Sequence, residues 1–169
     1  MRLRQYNPTD FSYISQWVDS PRIHALWCAN AIPYPVTAEN FHALLAENAA
    51  RWQDSVFIAT EDTGEPIGFF SYSVNCPENS GFLKYVILDA RHRGKGYGSR
   101  MLKLALTYAF RLTAVEYVQI NVFDVNKAAR SCYARLGFTE RRTTPDALVF
   151  EEEAWDRLNL VISSPPEIE

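Results

Sequence analysis

The feature that most constrains this chain is a glycine-rich turn at residues 93–98, which separates a strand-like segment from a helix-like one. An apolar run at 82–88 precedes the turn, and an apolar stretch with helical spacing, 99–110, follows it. The three glycines of the turn permit conformations closed to other residues and let the backbone approach a ligand closely. The first turn of a helix offers unpaired N–H groups and a positive dipole end, so this junction predicts a site for an anion such as phosphate.

Local charge agrees with that prediction. Four cations, Arg91, Arg93, Lys95 and Arg100, surround the turn in a chain whose formal net charge is only -3. No long basic stripe accompanies them elsewhere in this slightly acidic chain, and we therefore expect no nucleic-acid partner.

Composition bounds the class of protein. A chain of 169 residues with 47% hydrophobic and 22% charged residues is typical of one globular domain. We expect that domain to span 1–162, followed by a disordered tail at 163–169. No apolar run approaches the roughly 18 residues of a membrane span and no secretory-type segment opens the chain, which predicts a cytoplasmic protein without a membrane partner. The three cysteines and three histidines show no metal-ligand spacing, so we expect reduced thiols and no metal site.

Strand and helix patterns alternate along the rest of the chain. Strands are predicted at 1–6, 55–60, 66–74, 82–88, 117–123, from 138 onward, at 147–151 and at 155–162. A helix from residue 10 is restarted by Ser20 and Pro21, another is capped by Thr37, and two more are predicted at 99–110 and at 127–136, where Gly137 ends the last one.

A glycine-rich turn alone fits several phosphate-binding architectures. The P-loop requires a Lys followed by Ser or Thr, whereas Lys95 is followed by Gly96. The dinucleotide-binding fold is a closer rival, because Gly94, Gly96 and Ser99 nearly match its fingerprint and Asp124 ends the next strand. Hairpin-like strands precede the turn, however, and only one strand–helix unit follows it, unlike a Rossmann domain.

A second motif favours a third architecture. The pattern Arg93-x-x-Gly96-x-Gly98 is followed about thirty residues later by Asn126-x-x-Ala129-x-x-x-Tyr133-x-x-x-Gly137-Phe138. This pair of motifs, with the order of elements over most of the chain, resembles the GNAT superfamily of acyl-CoA-dependent N-acyltransferases. The resemblance implies a layered α/β (α+β) GNAT fold with a mixed, mostly antiparallel sheet of about seven strands. It also implies that the sheet is splayed between its fourth and fifth strands and flanked by about four helices.

The resemblance also implies where acetyl-CoA binds. In that family the loop amides hold the coenzyme A pyrophosphate, and the strand before the loop holds the pantetheine arm as if it were an added strand. Carried over by position, the cofactor-binding residues are Val86, Ile87, Leu88, Arg93, Gly94, Lys95, Gly96, Tyr97, Gly98, Ser99, Asn126, Ala129 and Tyr133.

Amine acetylation requires a base, donors for the developing oxyanion and an acid for the departing thiolate. Tyr133 is the predicted catalytic acid, because an unperturbed phenol pKa of about 10 lies near that of an alkyl thiol. The amide of Val86 is a candidate oxyanion donor. Many relatives carry a glutamate ten positions before the loop arginine, but Leu83 stands there. The base is therefore left open between a water relay and a carboxylate such as Asp124 or Glu151.

The expected function is transfer of an acetyl group from acetyl-CoA to a primary amine, by direct attack in a ternary complex. Similarity in the 17–37 region and at Trp155 to the branch containing ribosomal-protein N-terminal acetyltransferases makes a protein N-terminus the first expected acceptor, with a small-molecule amine as the other. A non-catalytic acyl-CoA sensor is the alternative, since Leu83 replaces the usual base. The hypothesis of a dinucleotide-binding fold predicts instead that NAD binds more tightly than coenzyme A. Similar proteins are commonly dimers, so a homodimer is an open expectation.

Overall fold

Seven strands form one sheet in the order β1-β2-β3-β4-β5-β7-β6 in the computed structural model of the protein, which describes residues 1–165. The strands are β1 Arg2–Gln5, β2 Ser55–Thr60, β3 Pro66–Asn75, β4 Ser80–Leu88, β5 Tyr117–Phe123, β6 Thr139–Phe150 and β7 Glu153–Ile162. The helices are α1 Phe11–Trp17, α2 Pro21–Cys28, α3 Ala38–Trp52, α4 Tyr97–Leu112 and α5 Lys127–Arg135. Only β4 and β5 pair in parallel, so the predicted mixed and mostly antiparallel sheet is confirmed.

Short polar side chains decide where the N-terminal helices begin. The Ser20 hydroxyl accepts a hydrogen bond from the Ile23 N–H, and Pro21 occupies the first helical position of α2. Thr37 and Asn40 form a reciprocal capping box at the start of α3. Pro21 opens a separate helix, as predicted, so the described chain has five α-helices, in line with the about four that the resemblance implied.

Helices cover both faces of the sheet. On one face α4 and α5 pack against a core cluster that includes Tyr72, Leu83 and Met101. On the other face α1, α2 and α3 enclose a second cluster around Phe41 and Phe69. The central strands are therefore buried on both sides, as their nearly continuous apolar sequences require. None of the helices within residues 1–165 has the length and apolar character needed to cross a membrane.

The sheet opens between its fourth and fifth strands, as predicted. β4 and β5 are paired only from Ser80↔Tyr117 to Leu83↔Ile120. Beyond that point β4 continues beside β3, and β5 continues beside β7 as far as Phe123↔Arg157. The second half of β4 therefore turns an edge without a strand partner toward the gap.

The main differences from the predicted boundaries lie in β6 and α4. The runs predicted as separate strands, from 138 and at 147–151, are parts of the single strand β6, whose pairing shifts between Thr144 and Leu148 around Pro145 and Asp146 (φ 48°). Helix α4 begins at Tyr97, two residues before the predicted start, because Gly96 serves as its N-cap. Of the predicted tail, 163–165 form neither helix nor strand and 166–169 lie outside the described residues.

Candidate active site

The glycine-rich turn presents the N-terminus of α4 to one side of the gap. Gly94 (φ 73°) and Gly96 (φ 82°) adopt left-handed conformations, and a Cβ built on either would meet no atom within 4 Å. Glycine is therefore needed here for its backbone angles rather than for lack of space. Unlike α2, α3 and α5, helix α4 has no side-chain cap, and its first helical hydrogen bond runs from the Arg100 N–H to the Gly96 oxygen (3.1 Å). The N–H groups before Arg100 are left for an anion.

Only part of the predicted positive charge reaches this site. Arg91 is held by Asp89, with Nη2 2.6 Å from Oδ2. Burial alone would raise the pKa of Asp89, but hydrogen bonds from the Arg91 side chain and N–H lower it, so this carboxylate stays charged and neutralises Arg91. Arg93 instead donates from Nε to the Leu88 oxygen (3.2 Å) and lines the cavity beside the turn.

A bulge in β4 shapes the opposite wall. Phe69 pairs with Ile87 and Ser71 pairs with Lys84, so β4 carries one more residue than β3 across this stretch. Tyr85 has a positive φ of 50°, and its carbonyl oxygen accepts a hydrogen bond from Trp27 Nε1 (2.9 Å). The extra residue reverses the alternation of the strand: Leu83 packs on the α4 side and Ile87 on the opposite side, four residues later.

Most of the predicted cofactor-binding residues lie around one space. This loop cavity, of about 430 Å³, runs from the turn along β4 to α5. The predicted residues that line it are Val86, Ile87, Leu88, Arg93, Gly94, Gly96, Gly98, Ser99, Asn126, Ala129 and Tyr133. Lys95 and Tyr97 do not line it, and the ring of Tyr97 packs against His92 with centroids 5.0 Å apart. Contacts of their main-chain amides with a ligand stay a prediction.

A second space, the gap cavity of about 260 Å³, lies where β4 and β5 separate. The residues that line both cavities are Leu26, Trp27, Val86, Asn126, Ala129 and Tyr133. The two cavities are therefore neighbours that share a wall, and Tyr133 stands at their junction. Burial raises the pKa of Tyr133 above its ordinary value, so its hydroxyl is a proton donor at neutral pH.

None of the three positions discussed for the catalytic base, residues 83, 124 and 151, brings a carboxylate to this junction. Leu83 is 1% exposed and pairs with Tyr72 and Ile120 in the sheet. Asp124 accepts a hydrogen bond from the Asp156 N–H through Oδ1 (2.9 Å), and Glu151 is exposed in the turn between β6 and β7. Within residues 1–165, no Asp or Glu lines either cavity.

Several residues that line the cavities were not singled out by the sequence. Ile23, Leu26 and Trp27 bring one face of α2 to the site, and Trp27 also belongs to the core cluster around Phe41. Their helical spacing marks a buried face but cannot say that the face borders a cavity. Cys28 also lines the gap cavity, where its Sγ lies 3.3 Å from His24 Nε2 and burial raises its pKa.

Comparisons with known proteins agree with this geometry. The chain is 35% identical over 89 residues to the L-2,4-diaminobutyric acid acetyltransferase of Virgibacillus pantothenticus, covering 52% of this chain and 54% of that protein. It is 25% identical over 109 residues to an uncharacterised N-acetyltransferase of Methanocaldococcus jannaschii, covering 64% of this chain and 67% of that protein. The chain thus spans between half and two thirds of the length of these two relatives.

A solved structure shows the same fold. The spermidine N-acetyltransferase of Vibrio cholerae, in complex with CoA and spermine, superposes with a TM-score of 0.82 at 20% identity, covering 95% of this chain and 94% of that chain. The model of the acetyltransferase (GNAT) family matches residues 16–138, which include the glycine-rich turn and the second motif. The chain therefore belongs to the GNAT family of acetyltransferases, whose acyl donor is acetyl-CoA.

Proposed function

We propose that the protein transfers an acetyl group from acetyl-CoA to a small primary amine, with both substrates bound together. The observation that carries this proposal is the position of Tyr133 in the wall shared by the loop cavity and the gap cavity. A donor in the first cavity and an amine in the second would meet beside one phenol. Proximity of this kind favours direct transfer over a covalent enzyme intermediate.

The loop cavity has the chemistry that coenzyme A requires. Its turn offers main-chain N–H groups and Arg93, which suit a diphosphate. Its β4 wall, Val86 to Leu88, offers a strand edge that suits the amide groups of the pantetheine arm. Acetyl-CoA supplies the activated acyl group, and the chain supplies orientation and hydrogen-bond donors.

Tyr133 would act as a hydrogen-bond donor to the departing sulfur. Because burial raises its pKa, the phenol is a weaker acid than its ordinary value implies. For the same reason the phenol stays protonated at every physiological pH, so its hydrogen is always available for a hydrogen bond. Stabilisation of charge on the sulfur by this donor lowers the barrier as that charge develops.

Two roles in the reaction are still to be assigned, the donor to the oxyanion and the base that takes the proton of the amine. Val86 lies in the bulge of β4 and lines both cavities, so its N–H is our candidate donor to the oxyanion. With no carboxylate on either cavity among the described residues, we propose that the amine enters in its neutral form and releases its proton to water after attack.

The size of the gap cavity favours a small acceptor. Its volume of about 260 Å³ is at or below the lower end of the roughly 300–1,000 Å³ usual for ligand pockets. The names of two similar proteins, acetyltransferases of diaminobutyric acid and of spermidine, support a small amine. Acetylation of a protein N-terminus stays a prediction from the sequence.

The test is Tyr133→Phe, with Tyr108→Phe as the matched control. Tyr108 lies in α4 and packs against Phe57 and Tyr72 away from both cavities. We expect Tyr133→Phe to lower kcat roughly tenfold to a thousandfold with little change in the Kd for coenzyme A, and Tyr108→Phe to leave kcat unchanged.

Two results would contradict the proposal. An unchanged kcat in Tyr133→Phe, with chemistry shown to be rate-limiting in single turnovers, would remove Tyr133 from the reaction. Tight binding of acetyl-CoA by the wild-type protein without transfer to any amine would instead support the acyl-CoA sensor.

A further inference from the structure

We propose that the gap cavity recognises a carboxylate on the acceptor, through Arg157 and Asn121, and that the acceptor is an amino acid or another small amine that carries a carboxylate. This inference rests on the proposed function, because it names the substrate class of the same site. It is argued from the charges and the hydrogen-bond donors that line the cavity.

The charge of the gap cavity is positive. Its cationic side chains are Lys84 and Arg157, and no Asp or Glu among residues 1–165 lines it. Lys84 Nζ lies 2.7 Å from Oδ1 of Asp54, whose side chain is 1% exposed, so the Lys84 charge is already balanced. The side chain of Arg157 makes no hydrogen bond or ion pair with any other part of the described chain. The guanidinium of Arg157 is therefore the uncompensated charge of this cavity.

The orientation of Asn121 follows from a chain of hydrogen bonds. Arg141 Nε donates to Asn159 Oδ1 (2.9 Å), and a guanidinium can only donate, which fixes the amide of Asn159. The Nδ2 of Asn159 then donates to Asn121 Oδ1 (2.9 Å). The Asn121 oxygen is thereby occupied, and its NH₂ group is the part left for a ligand.

The side-chain amide of Asn126 is oriented in the same way, with its oxygen occupied and its NH₂ group available. Its Oδ1 accepts a hydrogen bond from the Ala129 N–H (3.2 Å), and a main-chain N–H can only donate. Both asparagine side chains that line the gap cavity thus offer donors rather than acceptors. A carboxylate, which only accepts, matches such a lining, whereas a polyamine would bring more cations to a cavity without an anion.

The register of the sheet brings Arg157 and Asn121 within reach of one carboxylate. Asn121 of β5 pairs with Asn159 of β7, and Arg157 lies two residues before Asn159 on that strand. Arg157 and Asn121 are therefore diagonal neighbours on one face of an antiparallel pair, a spacing of about 7–8 Å that long side chains bridge. The carboxylate would sit on this face, which is the α2 side of the sheet, and the amine would be directed through the gap toward Tyr133 on the α5 side.

The experiment compares amines that differ only by a carboxylate: lysine with cadaverine, and phenylalanine with phenethylamine. Rates are measured at saturating acetyl-CoA and compared at equal concentrations of neutral amine. We expect kcat/KM to be roughly 10- to 100-fold higher for the carboxylated member of a pair, as for a hydrogen bond to a charged group. Arg157→Gln should remove this preference by lowering kcat/KM for the carboxylated member of each pair far more than for the amine that lacks the carboxylate.

The matched control is Arg142→Gln. Arg142 is an exposed arginine of β6 that lines neither cavity, so its loss should leave both members of each pair unchanged. Equal kcat/KM within the pairs, or an equal loss for both members in Arg157→Gln, would overturn the inference and leave the proposed acetyl transfer standing.

A binding measurement separates this inference from the proposed function. If the wild-type protein acetylates none of the amines, the products Nε-acetyllysine and N-acetylcadaverine are titrated into the protein saturated with coenzyme A. Tighter binding of Nε-acetyllysine that is lost in Arg157→Gln would uphold the carboxylate site although the acetyl transfer had failed. Equal binding of the two products would overturn the site as well.

Discussion

Replacement of Gly96 by alanine separates the backbone requirement of the glycine-rich turn from its role in binding. Gly96 has φ 82° and Gly64, in the turn between β2 and β3, has φ 95°, and a Cβ at either position would meet no atom within 4 Å. Gly64 lines neither cavity. Alanine at either position should cost about 1–2 kcal/mol of unfolding free energy, the usual penalty for a left-handed residue with a Cβ. For a domain of this size that is a Tm loss of roughly 2–8 °C.

Only Gly96→Ala should weaken coenzyme A binding. If the turn keeps its shape, the new Cβ enters the open space of the loop cavity, and if the turn relaxes, the amides move away from the diphosphate. The loss of one hydrogen bond to a charged group is worth about 1.5–3 kcal/mol, which is a roughly 10- to 100-fold rise in Kd.

The assay combines thermal unfolding of the unliganded variants with calorimetric titration of coenzyme A. The expected result is a similar loss of Tm in both variants and a loss of affinity in Gly96→Ala alone. Unchanged affinity in Gly96→Ala, or equal loss of affinity in Gly64→Ala, would refute the assignment of this turn to the diphosphate.

Two further predictions concern proton transfer and access. We expect kcat/KM to rise with pH as the acceptor amine loses its proton, since no described carboxylate lines the cavities. We expect kcat/KM to fall only above about pH 10, because burial raises the pKa of Tyr133 and delays the loss of its proton. A plateau beginning near pH 7 would reveal a base in the site. Coenzyme A should protect the half-buried Cys132, which lines the loop cavity 3.3 Å from Ser99 Oγ, against iodoacetamide, while the exposed Cys76 reacts equally with and without it. Mass spectrometry that found Cys132 labelled equally in both conditions would contradict a cofactor at this position.

Features that depend on a few neighbouring residues, such as helix caps and turns, could be predicted from the sequence. Ser20 and Thr37 were predicted as helix caps and are confirmed, because a cap depends on residues within one turn of it. The glycine-rich turn and the second motif were sufficient to predict the family and the splayed sheet, which are confirmed by the family model and by the pairing of β4 with β5. The roles of Tyr133 and of the loop amides stay predictions with a consistent geometry.

Features that depend on long-range pairing could not be predicted from the sequence. The sequence around Pro145 looked like the end of one strand and the start of another, but β7 pairs with both halves and makes them one. Trp27 packs in the core cluster around Phe41 and also lines the gap cavity, and its indole N–H donates to the bulged main chain at Tyr85. No local pattern distinguishes a buried helix face from one that borders a cavity.

The sequence by itself determined the glycine-rich junction of strand and helix, since left-handed glycines, caps and apolar periodicity act over a few neighbouring residues. The tertiary structure alone decided which side chains share the gap cavity. Strand pairing and helix packing brought Tyr133 and Arg157 to the same space from elements distant in the chain, with Leu83 in its wall, and one extra residue in β4 put Ile87 on the opposite face from Leu83. The physical reason is that a bulge reverses the face of every following side chain, and its position is set by pairing across the whole sheet.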